Sequence, residues 1–296
     1  MQKLCKRDIA AEQAPEPLRG QELLAAETRL VEGEVPSELD GALVTTPTYA
    51  LSHDAFMLSL PNGLRFHYQR GAGCTYARRA DTLDADIPLF FNGSVYGAIA
   101  WLNGLIPLHA SSIIHRGRVF AFTGVSGEGK STLAAALAGE GFTLFSDDVL
   151  VLDVSAPVGV VAFPGHKQLK LWGDALKLTN QTAGDAVRDG IDKFYARDVS
   201  FAGRDPAPLG VLYDLKSVAT DAANIERVNG MARFNMLRAA YYRPHFCAAI
   251  AESKNFFAYT SRIAGAIDMF TFDRPRDKSK FRDNVAQLAA HIRARG

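Results

Sequence analysis

The segment Gly124-Val125-Ser126-Gly127-Glu128-Gly129-Lys130-Ser131 fits G-x-x-x-x-G-K-[ST] at every defined position, and that pattern is a device for holding phosphate. Glycines 124, 127 and 129 let the backbone turn back on itself without a Cβ clash, so successive N–H groups face one point. A helix starting there adds its partial positive charge. Lys130 can reach the outer phosphates, and the Ser131 hydroxyl can join a Mg²⁺ shell. The flanking residues supply the required context: a strand-like run Val119–Thr123 before and an alanine-rich run Leu133–Ala138 after. Gly124, Ser126, Gly127, Glu128, Gly129, Lys130, Ser131 and Thr132 are therefore expected around a nucleotide. A glycine-rich turn that merely caps a helix is the bland alternative.

The loop says nucleotide, not reaction. Asp147-Asp148 stand 16 residues after Ser131, at the end of a strand expected over Thr143–Ser146. Neighbouring strand residues face opposite sides of a sheet, so both carboxylates can serve one site only where the chain bends. There one would hold Mg²⁺ and the other would take the proton of an acceptor hydroxyl; the residues alone leave the split open. A polar turn between two apolar strands would give them no chemical role. The third piece is His109. With Arg116 and Gly117 as the tip of a hairpin, His109 falls opposite Gly124 and brings an imidazole to the edge of the phosphate site. Arginine is not ideal in a primed two-residue turn, so a slip of one residue is open. A lone histidine is more often structural, and His115 is expected to be so.

Weaker candidates follow. Lys167 and Lys170, in a segment read as opening a helix after Pro164, could neutralise transition-state charge; a solvated helix start fits them equally. Arg233, on an apolar-rich helix, is a similar candidate. The run Asp273–Lys280 reads as a solvated loop, with a docking patch for an acidic peptide as the bolder reading. Residues 181–192 and 201–206 read as long polar loops.

These groups need elements to position them. At 296 residues, 48% apolar and 22% charged, the chain can bury a sizeable core. A net charge of +1 gives no steering toward nucleic acid or a membrane surface. Cys5, Cys74 and Cys247 lack metal-ligand spacing and read as reduced thiols, which suggests the cytoplasm. The first 20 residues have no apolar core and do not read as a secretory signal. The apolar stretch 96–114 is broken by Asn103, Pro107 and His109, against a membrane span. Residues 1–104 read as a leading tail and a small β-rich N-terminal domain, and 105–296 as an α/β domain. Helices are expected at 130–139, 167–178, 229–242 and 279–294. The strands flanking the loop and the acidic pair are joined by turns too short for parallel crossovers, so the sheet should be mixed, unlike that of Ras-like or adenylate-kinase-like folds. Oligomeric state is left open, homo-oligomer included.

His109, the step of 15 residues to Gly124, the glycine-rich loop, and Gly141-Phe142-Thr143-Leu144-Phe145-Ser146-Asp147-Asp148 together resemble the core of HPr kinase/phosphorylase. That family is related to the ATP-dependent phosphoenolpyruvate carboxykinases. Leu108-His109-Ala110-Ser111-Ser112, behind a β-rich front, is most similar to the HPr-kinase-like proteins of lasso peptide biosynthesis, which phosphorylate the C-terminal serine of a precursor peptide. The specific match covers residues 108–150. The resemblance implies an α/β P-loop core with a mixed sheet, ATP and Mg²⁺, and a peptide acceptor. It assigns Lys130 to the β/γ-phosphates, Ser131 and Asp147 to Mg²⁺, Asp148 as the base, and His109 beside the transferring phosphoryl group. The Arg- and Gly-rich acidic motif that supports the reverse reaction in HPr enzymes has no equivalent after Asp148, which favours a one-way kinase. The regulatory domain of HPr enzymes leaves no clear sign in the front domain. An HPr-type protein kinase, a small-molecule kinase and a non-catalytic nucleotide sensor are the alternatives; a keto-acid decarboxylase is the least favoured.

Overall fold

The computed structural model describes residues 17–156, 159–166, 168–188, 190–197, 199–250 and 253–296. Helix α1 (Pro17–Glu27) leads into β1 (Leu30–Glu32), β2 (Val44–Thr45), β3 (Tyr49–Leu51), β4 (Ala55–Ser59), β5 (Arg65–Gln69) and β6 (Gly73–Ala77). These six form one sheet in the order β1-β6-β5-β4-β3-β2, antiparallel except for β1 beside β6. Strand β5 shows why: Phe66 and Tyr68 are fully buried while Arg65, His67 and Gln69 between them are not, the period of two that puts one face on a core.

A short helix α2 (Asp86–Phe90), a π-helical turn over Phe91–Val95 and α3 (Tyr96–Leu102) connect this sheet to the next part. There the strands are β7 (Ile106–His109), β8 (Ser111–His115) and β9 (Arg118–Thr123), followed by α4 (Lys130–Gly139), β10 (Thr143–Ser146), β11 (Val149–Asp153) and β12 (Val161–Phe163). After β13 (Lys170–Trp172), α5 (Gly173–Thr179), β14 (Ala183–Ala186) and β15 (Lys193–Ala196) comes the long β16 (Ala207–Val218), then β17 (Asn224–Arg227). Helices α6 (Met231–Ala240), α7 (Pro244–Ile250) and α8 (Ser253–Ala266), strand β18 (Asp268–Pro275) and α9 (Phe281–Arg293) complete the described chain. Among the described residues no helix is long and apolar enough to cross a membrane.

The fold is mixed α/β, and the larger sheet is mixed in direction. Its order is β10-β8-β9-β16-β12-β11-β7, with β18 on the far side of β16 and β17 beyond it. Strand β16 runs parallel to both β9 and β18, and its first residues pair antiparallel with β12. The hairpin β8–β9 keeps the register expected from Arg116-Gly117 at its tip: Ser111 pairs with Phe122 and His115 with Arg118. Both tip residues take positive φ, 48° and 76°, as a primed turn requires.

Strand β9 feeds two cores. Val119 and Ala121 join a cluster with Leu51, Phe66, Ile99, Leu108, Leu237 and Met269. Phe120 and Phe122 join the opposite one, with Leu133 and Leu137 of α4, Tyr213, Phe272 and Leu288 of α9. The front sheet thus shares a core with one face of the larger sheet, and α4 and α9 cover the other. Burial on both faces explains the unbroken apolar runs of β9 and β11.

Two expectations are corrected. The segment read as a helix over 167–178 is strand β13 and only then α5. Leu169, Trp172 and Leu176 imitate a helical spacing, yet Leu169 and Leu171 are the buried pair while Trp172 is 52% exposed. Residues 183–186, within the stretch 181–192 read as loop, form β14 of a three-stranded sheet in the order β13-β15-β14.

Gly97 lies in α3, where a Cβ would meet the Tyr242 ring at 2.6 Å. Helix propensity favours Gly→Ala by about 1 kcal/mol, but overpacking costs about 1–3 kcal/mol. Gly97→Ala is therefore expected to lower stability, whereas Gly139→Ala, with open space at its Cβ, leaves it unchanged or raised. Urea denaturation of the two variants checks the sign.

Candidate active site

Two very short links shape the site. A single residue, Ala110, joins β7 to β8, and two residues, Asp147 and Asp148, join β10 to β11. One residue spans roughly 3.5 Å, yet β7 and β8 stand far apart in the strand order. The sheet must therefore curl until its two arms meet end to end. At the seam β8 pairs with β10 and β7 with β11, side by side. The Ser112 and Ser146 hydroxyls clasp it at 2.8 Å, and the Ser146 N–H donates to Ser112 Oγ at 3.1 Å. His109 pairs with Val149 across the seam. It does not pair with Gly124; instead the Thr123 hydroxyl donates to the His109 carbonyl at 3.2 Å, which ties the histidine to the end of β9 where the glycine-rich loop begins.

The loop turns on Gly124, Gly127 and Gly129, with φ of 143°, 96° and 74°. A Cβ at Gly124 would strike the Leu215 carbonyl at 2.8 Å, so glycine is needed there for space as well as conformation. Lys130, the first residue of α4, is buried and donates to the Gly124 and Val125 carbonyls at 2.9 and 3.3 Å. Burial lowers its pKa, opposed by the charges of Asp148, Asp147 and Glu128.

The loop is also braced from behind. Glu128 accepts from the Ser217 hydroxyl at 2.7 Å, and the Arg274 guanidinium donates to the Glu128 carbonyl at 2.5 Å and lies 3.4 Å from its carboxylate. Arg274 is only 7% exposed, although the sequence reading put it in a solvated loop. It sits on β18, and the missed signal was the period of two: Phe270, Phe272 and Arg274 continue one buried face.

The acidic pair sits in the seam. The Val149 N–H reaches back to the Asp147 carbonyl at 3.0 Å, and Asp148 between them has φ of 71°. This tight γ-turn, of the rare positive-φ kind, breaks strand alternation and lets both carboxylates line one cleft. Asp147 is buried and its Oδ1 accepts from Ser111 Oγ at 2.6 Å and Ser131 Oγ at 2.8 Å; the Lys170 N–H reaches Oδ2 at 3.4 Å. Burial pushes its pKa up, and the charge of Asp148 adds to this; the hydrogen bonds oppose it. Asp148 is different, with its side chain 41% exposed and its Oδ1 3.4 Å from His109 Nδ1, which also lies 3.1 Å from the Asp148 carbonyl. Burial acts on it too, but the His109 hydrogen bond and the charges of Lys170 and Lys193 prevail and hold the carboxyl below its ordinary value.

The loop from Ser126, the acidic pair, His109, Ser111, Ser217 and Arg274 line a cleft of about 570 Å³. Of the weaker candidates, Lys170 lies in it, on β13. Lys193 and Trp172 line the same wall, the ammonium 5.7 Å from the indole centroid. Sequence reasoning missed Ser111, Lys193, Trp172 and Arg274. Arg233 does not join the site; its guanidinium binds the carbonyls of Ala264, Ile267 and Val228 and so caps the end of α8. Lys167 lies outside the described residues. His115 packs edge-on against Phe142, away from the cleft. Cys74 and Cys247 are free and buried, and burial pushes each thiol up to about 12. They are inert packing groups.

No family model matches the chain, and no curated protein does. Among solved structures it is similar to the Hpr(Ser) kinase/phosphatase from Coxiella burnetii, over 64% of this chain and 99% of that chain, at 13% identity and a TM-score of 0.32. The functional reading therefore rests on the geometry of the cleft.

Arg274→Met removes the brace and leaves Glu128 without its cation. It is expected to cost roughly 3 kcal/mol of stability and to speed amide hydrogen exchange across residues 125–129. Denaturant titration and exchange mass spectrometry check both.

Proposed function

We propose that this chain is an ATP-dependent kinase that phosphorylates a hydroxyl group, with the glycine-rich loop acting as a P-loop. One observation carries the reading: Ser131 on the loop and the Asp147-Asp148 turn meet in a single cleft, with Ser131 Oγ 2.8 Å from Asp147 Oδ1 and an exposed, ionised Asp148 beside them. A nucleotide-binding loop needs no second carboxylate; a phosphoryl transfer to a hydroxyl does.

The donor set fits Mg²⁺. Ser131 and Ser111 each present a hydroxyl oxygen within hydrogen-bond distance of the Asp147 carboxylate, and the buried Asp147 has a raised pKa that a divalent cation would reverse. Among the described residues no group of three His, Cys, Asp or Glu forms a metal cage. Mg²⁺ at a phosphate site asks for one or two carboxylates, substrate phosphate and water. When bound, it would neutralise charge on the outer phosphates.

The protein's own residues divide the work. Lys130 exchanges its contacts with the loop carbonyls for the β- and γ-phosphates. Asp148 accepts the proton of the incoming hydroxyl as the new P–O bond forms and the bond from the γ-phosphorus to the β–γ bridging oxygen breaks, releasing ADP. His109, hydrogen-bonded to Asp148, orients that carboxylate. Lys170 and Lys193 face the pair from the opposite wall and are placed to offset charge on the transferring group. The acceptor is a peptide serine, and the resemblance of Leu108–Ser112 to the lasso precursor kinases makes the C-terminal serine of such a precursor the first to try. Mass spectrometry of candidate peptides after incubation with ATP identifies the acceptor.

Asp148→Asn is expected to reduce transfer from labelled ATP by about 10²–10⁴-fold while nucleotide affinity by calorimetry stays within a few-fold. Unchanged turnover would remove Asp148 from the role of base.

A further inference from the structure

Beyond the phosphate loop the cleft runs past Thr132 into the gap between α5 and α9. Its lining changes character there. Ala175 and Leu178 come from α5, and Phe281 and Asn284, one turn apart, from the start of α9. The ion pair of Asp174 with Lys278, at 2.8 Å, ties the start of α5 to the turn that precedes α9. Asn284 is only 6% exposed and lines the cleft. A carboxamide held this firmly on a cleft wall is placed to hydrogen-bond what enters the cleft.

We infer that this end of the cleft is an adenine subsite in which Asn284 reads the base. The inference rests on the nucleotide reading of the glycine-rich loop. A carboxamide presents one donor and one acceptor side by side. Adenine offers the complement, N6–H₂ as donor and N7 as acceptor, whereas the N7 and O6 of guanine are both acceptors. Phe281, on the same face of α9 one turn earlier, supplies an aromatic surface for the purine ring, and Ala175 and Leu178 supply the apolar wall opposite. The position suits the phosphates as well. Thr132 lies in the first turn of α4, directly after the loop, so a nucleotide with its outer phosphates at Lys130 and Ser131 extends its base along this side. A volume of about 570 Å³ is within the range of small-molecule sites.

Calorimetric titration with Mg²⁺ and either ATP, GTP or inorganic tripolyphosphate separates base from phosphate recognition. Asn284→Ala and the near-isosteric Asn284→Asp are each expected to weaken ATP at least tenfold, to leave tripolyphosphate within twofold and to erase a preference for ATP over GTP. Phe281→Leu should weaken ATP in the same selective way. Retained tripolyphosphate binding also shows that a variant is folded. Equal losses for ATP and tripolyphosphate in both Asn284 variants, or no loss of either, would overturn the adenine subsite and leave the phosphate site standing. If the unaltered protein binds neither ligand, the nucleotide reading falls and the subsite with it.

Discussion

The shape of the cleft depends on how little chain joins β7 to β8 and β10 to β11. With one residue at Ala110 and two at Asp147-Asp148, neither connection can carry a strand to a distant position within a flat sheet. The sheet closes toward itself, and two strand ends, the histidine and the acidic turn, are brought to the mouth of β9. Ordinary parallel α/β folds set catalytic groups on long loops beyond the strand ends. Here the seam itself holds the candidate groups, and the clasp of Ser112 with Ser146 is buried beneath. A backbone this constrained leaves little freedom for the carboxylates to wander, which is the preorganisation that charge stabilisation asks for.

Electrostatics then divides the aspartates. They are neighbours in sequence, but Asp147 is buried at the cleft wall among two hydroxyls and one amide, while Asp148 is more exposed, beside His109 and in the field of Lys170 and Lys193. Environment pushes the two pKa values apart: burial raises Asp147, and positive surroundings depress Asp148. An enclosed carboxylate beside Ser131 suits a cation ligand, and an exposed, ionised one suits proton acceptance. The lysines feel the reverse pressure, since burial lowers Lys130 and Lys170 while the aspartates hold their charge. The cluster is thus balanced within itself.

The sequence made the local parts legible and hid the long-range ones. The loop, α4, β10 and the acidic pair occupy one continuous stretch whose signals are short: glycine spacing, an alanine-rich helix, an apolar strand ending in carboxylates. The hairpin register was legible too, because Arg116-Gly117 fixes it by turn geometry. Lys193, Trp172 and Arg274 were not, since each depends on elements far away in the chain folding over the loop. Arg274 also sits among charges, Asp273, Arg276 and Asp277, that mask a buried strand position behind the composition of a surface loop. Arg233 erred the other way. An arginine on an apolar helix suggests a buried anion, but the backbone carbonyls at the end of a helix satisfy a guanidinium just as well.

Tyr242 links the front of the chain to the cleft. Its N–H donates to the Pro107 carbonyl at 2.8 Å, its carbonyl accepts from the Trp101 indole at 2.8 Å, and Tyr241 bridges to Leu108. The Tyr242 ring lies between two parts of the chain: Gly93 and Gly97, in the π-helical turn and α3, on one side, and the His109 imidazole, 5.9 Å between centroids, on the other. Side chains at 93 or 97 would crowd that ring. The π-helical turn sets where those glycines fall along the helix, and such turns often occur where a helix serves a site. The segment that follows the six-stranded sheet therefore does more than cover a core. It fixes the back of the imidazole, and through it the Asp148 carboxylate.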